Sequence, residues 1–422
     1  MATLETLDAM LKKQYGDHFN LVPTEQEVIL KHIGRAKRAK VGRDYTVAAT
    51  LSLDHSTTFH GTNEETIDLV DAVDGKSANA SITPSAMSFS GMITKMAAER
   101  VAGGETAFVD GPKFAIDRSM VSFTKVIETV HNHGGNGIGT FTYVAADSPV
   151  INIDNAEWAT AIWVGSYKKP IDIYTAAGVL VLSTSVLKVD TQTRNVTLAS
   201  TVGLVNGTAY TIYPKGAKGR ESLGLFNILK KSTGSLFGLS IDDNDLWGAN
   251  QKNLSTADFS WKTFASTVSE FSGRGVSGDN YMLYMNDIHF PKMVPSFNDA
   301  KAGESIANES GNNQGRWFNT GSEVMQLKHG TESIEFIINN TRAKIVTSNY
   351  VKRGEAALVN MDTWMRVVGG EGDISFEDFN GQKIRPLEKK AAYEYRLYTD
   401  QALFCPELNG AIYFYGLNPA AL

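Results

Sequence analysis

A single cysteine, Cys405, in 422 residues excludes an intramolecular disulfide and any cysteine-based zinc site. Such a chain suits a reducing compartment. Its N-terminal residues, Met1-Ala2-Thr3-Leu4-Glu5, lack the charged region, apolar stretch and cleavage site of a secretory signal, so export by that route is not expected. The six glycosylation-type triplets, starting at Asn79, Asn195, Asn206, Asn253, Asn308 and Asn339, therefore read as chance. Long apolar runs are also missing. The most apolar stretch, Ala176 to Leu187, is broken by Ser183, Thr184 and Ser185 and falls short of the roughly 20 residues a membrane span needs. Positive charge is not in excess: 40 Lys and Arg stand against 46 Asp and Glu, a net charge of -6, so any contact with a polyanion must be local.

What is present, 42% hydrophobic and 20% charged residues, is ordinary globular composition in a chain long enough for two or three cores. The first forty residues predict two short helices on an arm with too little apolar surface for a core. Leu4, Leu7 and Leu11 mark the first, and Thr24 with Glu27 caps a second that stops at Gly34. Arg35, Lys37, Arg38, Lys40 and Arg43 then cluster. This is either a solvated face or an electrostatic contact with a partner subunit, scaffold or genome.

Strict alternation of Tyr45, Val47, Ala49, Leu51 and Leu53 with polar residues predicts a strand with one wet face. A return at Ile67 to Val73, after a polar tip near His60 to Glu65, would make a long hairpin that needs an outside surface to lie on. Between Pro112 and Gly134, the residues Ile116, Met120, Phe123, Ile127 and Val130 form one helical seam long enough to be a domain's spine. Residues 150–215 break into short β-rich pieces between turns. A helix with Trp261, Phe264, Ala265, Val268 and Phe271 on one side follows. After it, apolar runs at Tyr281 to Met285, Ile334 to Ile338 and Ala357 to Val359, an alternating Tyr393-Tyr395-Leu397 and a last strand at Ala411 to Tyr415 complete an α+β pattern.

No motif for chemistry survives inspection. Gly75-Lys76-Ser77 lacks the first glycine of a phosphate loop, Val70 standing there, and Gly135 to Gly139 follows a helix and meets Thr140 where a dinucleotide fingerprint needs glycine. His131 and His133, two apart, do not share a helical face for a metal. Asp242 to Asp245 would place Trp247 and Leu254 at positions where a calcium loop needs carboxylate-type ligands, and reads as an exposed turn. No Gly-x-Ser-x-Gly elbow anchors a serine hydrolase. No catalytic residue, cofactor or metal is expected, and His131 and His133 are expected to tolerate Gln.

The order of elements is itself a pattern: helical arm, projecting hairpin, long helix running into a Gly-rich turn (Phe108 to Gly139), β-insertion (Trp163-Val164-Gly165, Pro170 to Tyr174, Val186 to Leu198), then Gly224-Leu225-Phe226-Asn227-Ile228, Gly238-Leu239-Ser240-Ile241 and Trp247 leading to a mixed terminal region. This order resembles the HK97-fold major capsid proteins of tailed bacteriophages over nearly the whole chain. The resemblance implies an N-terminal arm (1–41), an E-loop hairpin (42–90), a P-domain with the spine helix (91–149), a β-rich insertion (150–215), a return through the P-domain (216–259), an A-domain (260–380) and C-terminal strands of both (381–422).

It further implies a non-enzymatic subunit that self-assembles as hexamers and pentamers into an icosahedral shell around double-stranded DNA, bound non-specifically. Its partners would be a separate scaffolding protein, a portal and a decoration protein. It would have no membrane partner, and it would assemble in the host bacterial cytoplasm and reside in the virion. Expected assembly contacts are Tyr45, Val47, Leu51, Leu53, Arg35, Lys37, Arg38 and Lys40. An encapsulin-type compartment is the alternative with the same fold. From another class, a β-rich binding protein or enzyme would carry its site on residues 150–215.

Overall fold

The seam Ile116-Met120-Phe123-Ile127-Val130 is buried along its length, and the helix that carries it runs Glu105–His133. Its 29 residues span about 43 Å at 1.5 Å per residue. It starts a full two turns before the expected Pro112, which therefore sits inside it. The missing proline amide removes one helical hydrogen bond, to the Phe108 carbonyl, and the surrounding turns carry the helix through. Gly134 ends it, and Gly135 and Gly137 take left-handed φ of 81° and 75° in the turn that follows.

The computed structural model of the chain describes residues 27–37, 40–41, 44–60, 62, 69–94, 105–147, 149–293, 334–338, 341–369, 373–378, 382–387 and 390–420. The expected helix at Leu4 to Leu11, the Thr24 cap, and Arg38 and Arg43 lie outside the described residues. Four apolar clusters organise the rest.

In the first, the spine helix lies on a six-stranded sheet through Ile116, Met120, Phe123 and Ile127, which meet Ile374, Ile384, Tyr395 and Leu397. The axis of that sheet is the strand Ala392–Phe404. Ser85–Thr94 pairs with it antiparallel over ten residues. Met365–Val368, Ser375–Phe376 and Ile384–Pro386 pair with it as well. Arg35–Lys37 adds an outer parallel strand against Arg366–Val368. Gly91 faces Tyr395 across the ladder, and a Cβ there would collide with the tyrosine ring, so the position needs glycine.

A second six-stranded sheet forms the β-rich unit, in spatial order Gly139–Thr142, Ala209–Pro214, Pro170–Thr175, Leu180–Asp190, Asn195–Leu198 and Val150–Asn152. Its core holds the stacked pair Trp158 and Trp163 together with Phe141, Ile171, Ile173 and Ile212.

The third unit is another six-stranded sheet: Asn250–Asn253, Ile412–Tyr415, Glu355–Asn360, Gly278–Met285, Thr341–Thr347 and Ile334–Ile338. The helix Trp261–Phe271, capped by Ser260 accepting from the Thr263 amide, packs on it. The apolar runs Tyr281 to Met285, Ile334 to Ile338 and Ala357 to Val359 lie in strands of this sheet.

Pairing moves the expected boundaries. Ser85–Thr94 belongs to the sheet under the spine helix rather than to a hairpin of 42–90. The β-rich unit takes in Gly139–Thr142, ahead of residue 150. The sheet expected at 260–380 instead gathers strands from Asn250 to Asn360 and then Ile412–Tyr415, whereas Met365–Val368 and Ser375–Phe376 go to the spine sheet. Each correction has one cause: hydrogen-bond partners far apart in the chain are invisible to local patterning.

The fourth and central cluster joins these units. Leu225, Phe226, Ile228 and Leu229 of the short helix Leu225–Lys230 meet Trp247, Phe404, Cys405 and Leu408 there. The entry is a close backbone crossing, the Gly224 amide donating to the Gly134 carbonyl at 3.0 Å. A Cβ on Gly134 or Gly224 would meet backbone atoms of the other strand of the crossing.

Candidate functional site

The hairpin is real, but its partners differ from expectation. Asp44–Thr50 pairs with Ser77–Ile82, from Tyr45 opposite Ile82 to Thr50 opposite Ser77; of the expected return at Ile67 to Val73, Ile67 and Asp68 lie outside the described residues and Leu69 to Val73 is not a strand. The alternating face does not wait for a neighbour. Tyr45 (0% exposed), Val47, Ala49 and Leu51 (2%), with Ala80 and Ile82, belong to the central core that also holds Phe237, Trp247 and Phe404. Tyr45, Val47 and Leu51 are therefore packing residues of their own subunit, a correction to their expected place as assembly contacts. Desolvation, helped by Asp400, pushes the Tyr45 hydroxyl up to about 12.

Beyond Leu51 the character reverses. Past the last ladder pair the chain is held by isolated bonds: Leu51 N to the Lys76 carbonyl at 2.7 Å, His55 N to the Val73 carbonyl at 3.0 Å, Val73 N to Ser56 Oγ at 2.9 Å and Val70 N to Thr58 Oγ1 at 3.0 Å. Leu53 (66% exposed), Phe59 (93%), Leu69, Val70 and Val73 all face solvent. Several large apolar side chains on one projecting loop are a feature of interaction surfaces. Gly75-Lys76-Ser77 lies at the end of this loop, with Lys76 Nζ donating to Asn244 Oδ1 at 3.1 Å.

Of the basic cluster, Arg35–Lys37 forms the outer strand noted above, and Lys40–Val41 pairs with Asp44 and Tyr45. The exposed Arg35 guanidinium lies 3.9 Å from Asp373, an ion pair of small energetic weight at the surface.

The arm segment just before it is held by a clasp the sequence did not reveal. Glu128 of the spine helix accepts the Ile29 amide at 2.9 Å and the Leu30 amide at 3.1 Å. At the other end of the helix Val28–His32, Arg366 donates to the Leu30 carbonyl at 3.2 Å and the Ile33 carbonyl at 3.0 Å, and is itself held by Asp373 at 2.6 Å. Carboxyl oxygens at the amide end and a guanidinium at the carbonyl end satisfy unpaired backbone groups of a five-residue helix. Burial raises the Glu128 carboxyl to about 7 despite the two amides.

The histidines are packing residues as well. His131 Nε2 lies 3.1 Å from Gln401 Oε1. Because Gln401 spends its amide hydrogens on the Asp373 carbonyl and Thr399, His131 must be the donor. His133 donates from Nε2 to the Tyr350 carbonyl at 2.7 Å and stacks on Phe226. Both rings are buried, so a Gln at either position would have to reproduce the hydrogen bond that the ring donates. Among the described residues no three His, Cys, Asp or Glu side chains gather as a metal site. Cys405 is buried in the central core, and desolvation pushes its thiol up to about 12. Asp242 and Asp243 sit in an exposed turn as expected.

The β-rich unit, the spine-helix end and the terminal sheet converge on a polar cavity of about 620 Å³ lined by Glu157, Tyr213, Lys230, Lys352, Glu355 and Tyr413, among others. Lys352 is buried and pairs with Glu157 at 2.6 Å. Although desolvation opposes it, the adjacent carboxylates raise its pKa. Glu355, buried beside it, is raised to about 7 by desolvation. These residues, like Glu128 and Arg366, come from distant segments. A local signal was the polar cluster Glu128, Thr129, His131, Asn132 and His133 around Val130, all of it buried on more than one face of the helix.

Solved structures resemble the chain from end to end. The capsid asymmetric unit of cyanophage A-1(L) matches with TM-score 0.51 at 11% identity, over 95% of this chain and 96% of that one. The capsid of the Myoviridae phage XM1 matches with TM-score 0.44 at 8% identity, over 95% of each chain. The holo-SrpI encapsulin complex from Synechococcus elongatus matches with TM-score 0.41 at 6% identity, over 97% and 96%. No protein-family model matches, and no curated protein does. The first likeness fixes the architecture: the chain has the α+β, HK97-like capsid fold.

Proposed function

We propose that the chain is the major capsid protein of a tailed bacteriophage, a structural subunit that assembles as hexamers and pentamers into an icosahedral shell around double-stranded DNA. The observation that carries this reading is the extent of the likeness to the cyanophage capsid, which leaves almost no part of either chain unmatched. The apolar loop tip supports it, because Leu53, Phe59, Leu69, Val70 and Val73 gain a dry environment only against another molecule. Repeated over hundreds of subunits, such small contacts add up through multivalency.

In this reading Leu53 remains an assembly contact, along with Arg35, Lys37, Arg38 and Lys40, and the loop tip takes over the role first expected of the buried hairpin face. Scaffolding, portal and decoration proteins are the further partners. Assembly occurs in the host bacterial cytoplasm, and the mature location is the virion.

Expression with the neighbouring genes of its own genome, followed by electron microscopy of the purified particles, tests the proposal. Closed icosahedral shells packed with DNA are expected. Shells that enclose a protein cargo instead would assign the chain to encapsulin-type compartments, and small soluble oligomers under every condition would refute a shell function.

A further inference from the structure

Where the spine helix ends, two buried polar atoms face each other and nothing else. His133 Nδ1 and Glu355 Oε1 are 3.3 Å apart, and neither has another hydrogen-bond partner. Their other atoms are committed. The Tyr350 carbonyl can only accept, so His133 Nε2 carries a hydrogen. Glu355 Oε2 accepts the Tyr413 hydroxyl at 3.0 Å. Two lone pairs at this distance on buried atoms repel, whereas a single hydrogen between them makes the bond both lack.

We propose that His133 and Glu355 share one proton as a carboxylic acid–imidazole bridge, and that this proton latches the strand Glu355–Asn360 of the terminal sheet to the end of the spine helix.

The charged and titratable surroundings fit a neutral bridge. From the β-rich unit comes Glu157, from the loop before the strand Lys352 and Tyr350, from the helix Leu225–Lys230 Lys230, from the last strand Tyr413, and from the spine helix itself Glu128. Lys352 and Glu157 neutralise each other at 2.6 Å. Desolvation first, then Lys352, holds His133 well below its usual pKa, which leaves the proton on the carboxyl, where desolvation has raised the pKa to about 7. The latch therefore closes below neutrality and loses its proton above it.

Proton counting shows where the effect is visible. Unfolded, the two groups hold one proton between about 4.5 and 6.5, the ordinary values for Glu and His. Folded, they also hold one, up to about 7. Equal proton numbers leave global stability nearly independent of pH in that window. The signal is local opening of the joint above it.

The test uses the full chain. Infrared difference spectra between about pH 6 and pH 9 should show a protonated-carboxyl band lost with rising pH and absent in Glu355→Gln. A second band from Glu128 is identified by Glu128→Gln. Amide exchange at Val351 to Glu355, corrected for intrinsic base catalysis, should rise roughly tenfold above neutrality. Glu355→Gln should remain closed at both pH values, since its amide donates to Nδ1 and its carbonyl accepts from Tyr413. Nitrogen shifts of His133 in the unaltered protein give a reading that needs no variant: Nε2 protonated and Nδ1 a hydrogen-bond acceptor at the lower pH. An ionised Glu355 there, a doubly protonated His133, or exchange that rises equally in Glu355→Gln overturns the proposal.

Discussion

The two ends of one hairpin follow opposite rules. At its base Tyr45, Val47 and Leu51 are sealed into the molecule's central core, while at its tip Leu53 and Phe59 stand in water. In sequence Leu51 and Leu53 are equivalent members of one alternation. In space only Leu51, next to the last ladder pair of Thr50 with Ser77, still reaches the core, and Leu53 is already past it. A hairpin can thus be rooted by burial and free by design at the same time. Periodicity reveals which face is apolar but not which molecule covers it.

The largest effect should come from breaking the root. Leu51→Asp places a carboxylate among Trp247, Phe404 and their neighbours and should cost about 4 kcal/mol or more, read as a collapse of the denaturant midpoint. Cys405, in the same core, reports the result independently. Its buried thiol should resist alkylation in the parent protein and react quickly in this variant. A variant that melts like the parent would show that the base is not core after all.

The clasp beside the root should rank next. Arg366→Ala leaves Asp373 and two arm carbonyls without their donor and should cost about 3–5 kcal/mol, with proteolysis starting at the arm. Intact arm protection would count against the clasp.

Glu128 gives the same clasp a pH signature. Its folded pKa, about 7, lies above its ordinary 4.5, so the folded state holds the proton more tightly. The contribution is complete below about 4.5 and is lost as pH rises toward 7, a change of roughly 3 kcal/mol. The stability difference between the parent and Glu128→Gln, measured by denaturant titration across that range, should shrink accordingly. A constant difference would mean that the carboxyl is already ionised throughout.

The smallest effect on stability is expected at the tip. Leu53→Asp should change unfolding by no more than about 0.5 kcal/mol and leave Cys405 protected, yet sedimentation should show small species in place of shells. Normal shells from this variant would remove Leu53 from the contact surface. Read together, the two leucines separate a folding defect from an assembly defect.

Much of the fold was legible because its signals are local. The seam from Ile116 to Val130, the alternation at Tyr45 and the apolar runs at Tyr281 and Ala357 each declare an element within a few turns or residues. The joints were not legible. Glu128 meets Ile29, Arg366 meets Ile33 and Lys352 meets Glu157 only after the sheets have closed, and nothing in the spacing of those residues encodes the meeting. The hairpin's return strand was missed for a related reason. Ile67 to Val73 is more apolar than Ser77–Ile82, but the latter has Ala80 and Ile82 in register to share the core.

The strand Ala392–Phe404 sets a schedule for making the protein. Ribosomes release the chain in order, so Arg35–Lys37 and Ser85–Thr94 emerge long before the axis strand around which their sheet is built. Throughout that interval the seam of the spine helix has no sheet to lie on, and the edges of the early strands are open to any other nascent copy nearby. Closing the loop from residue 94 to residue 392 is a late, high-contact-order event. The sheet under the spine helix therefore closes only after residue 404 has emerged, and until then its early strands stay open to other half-made chains on the same message.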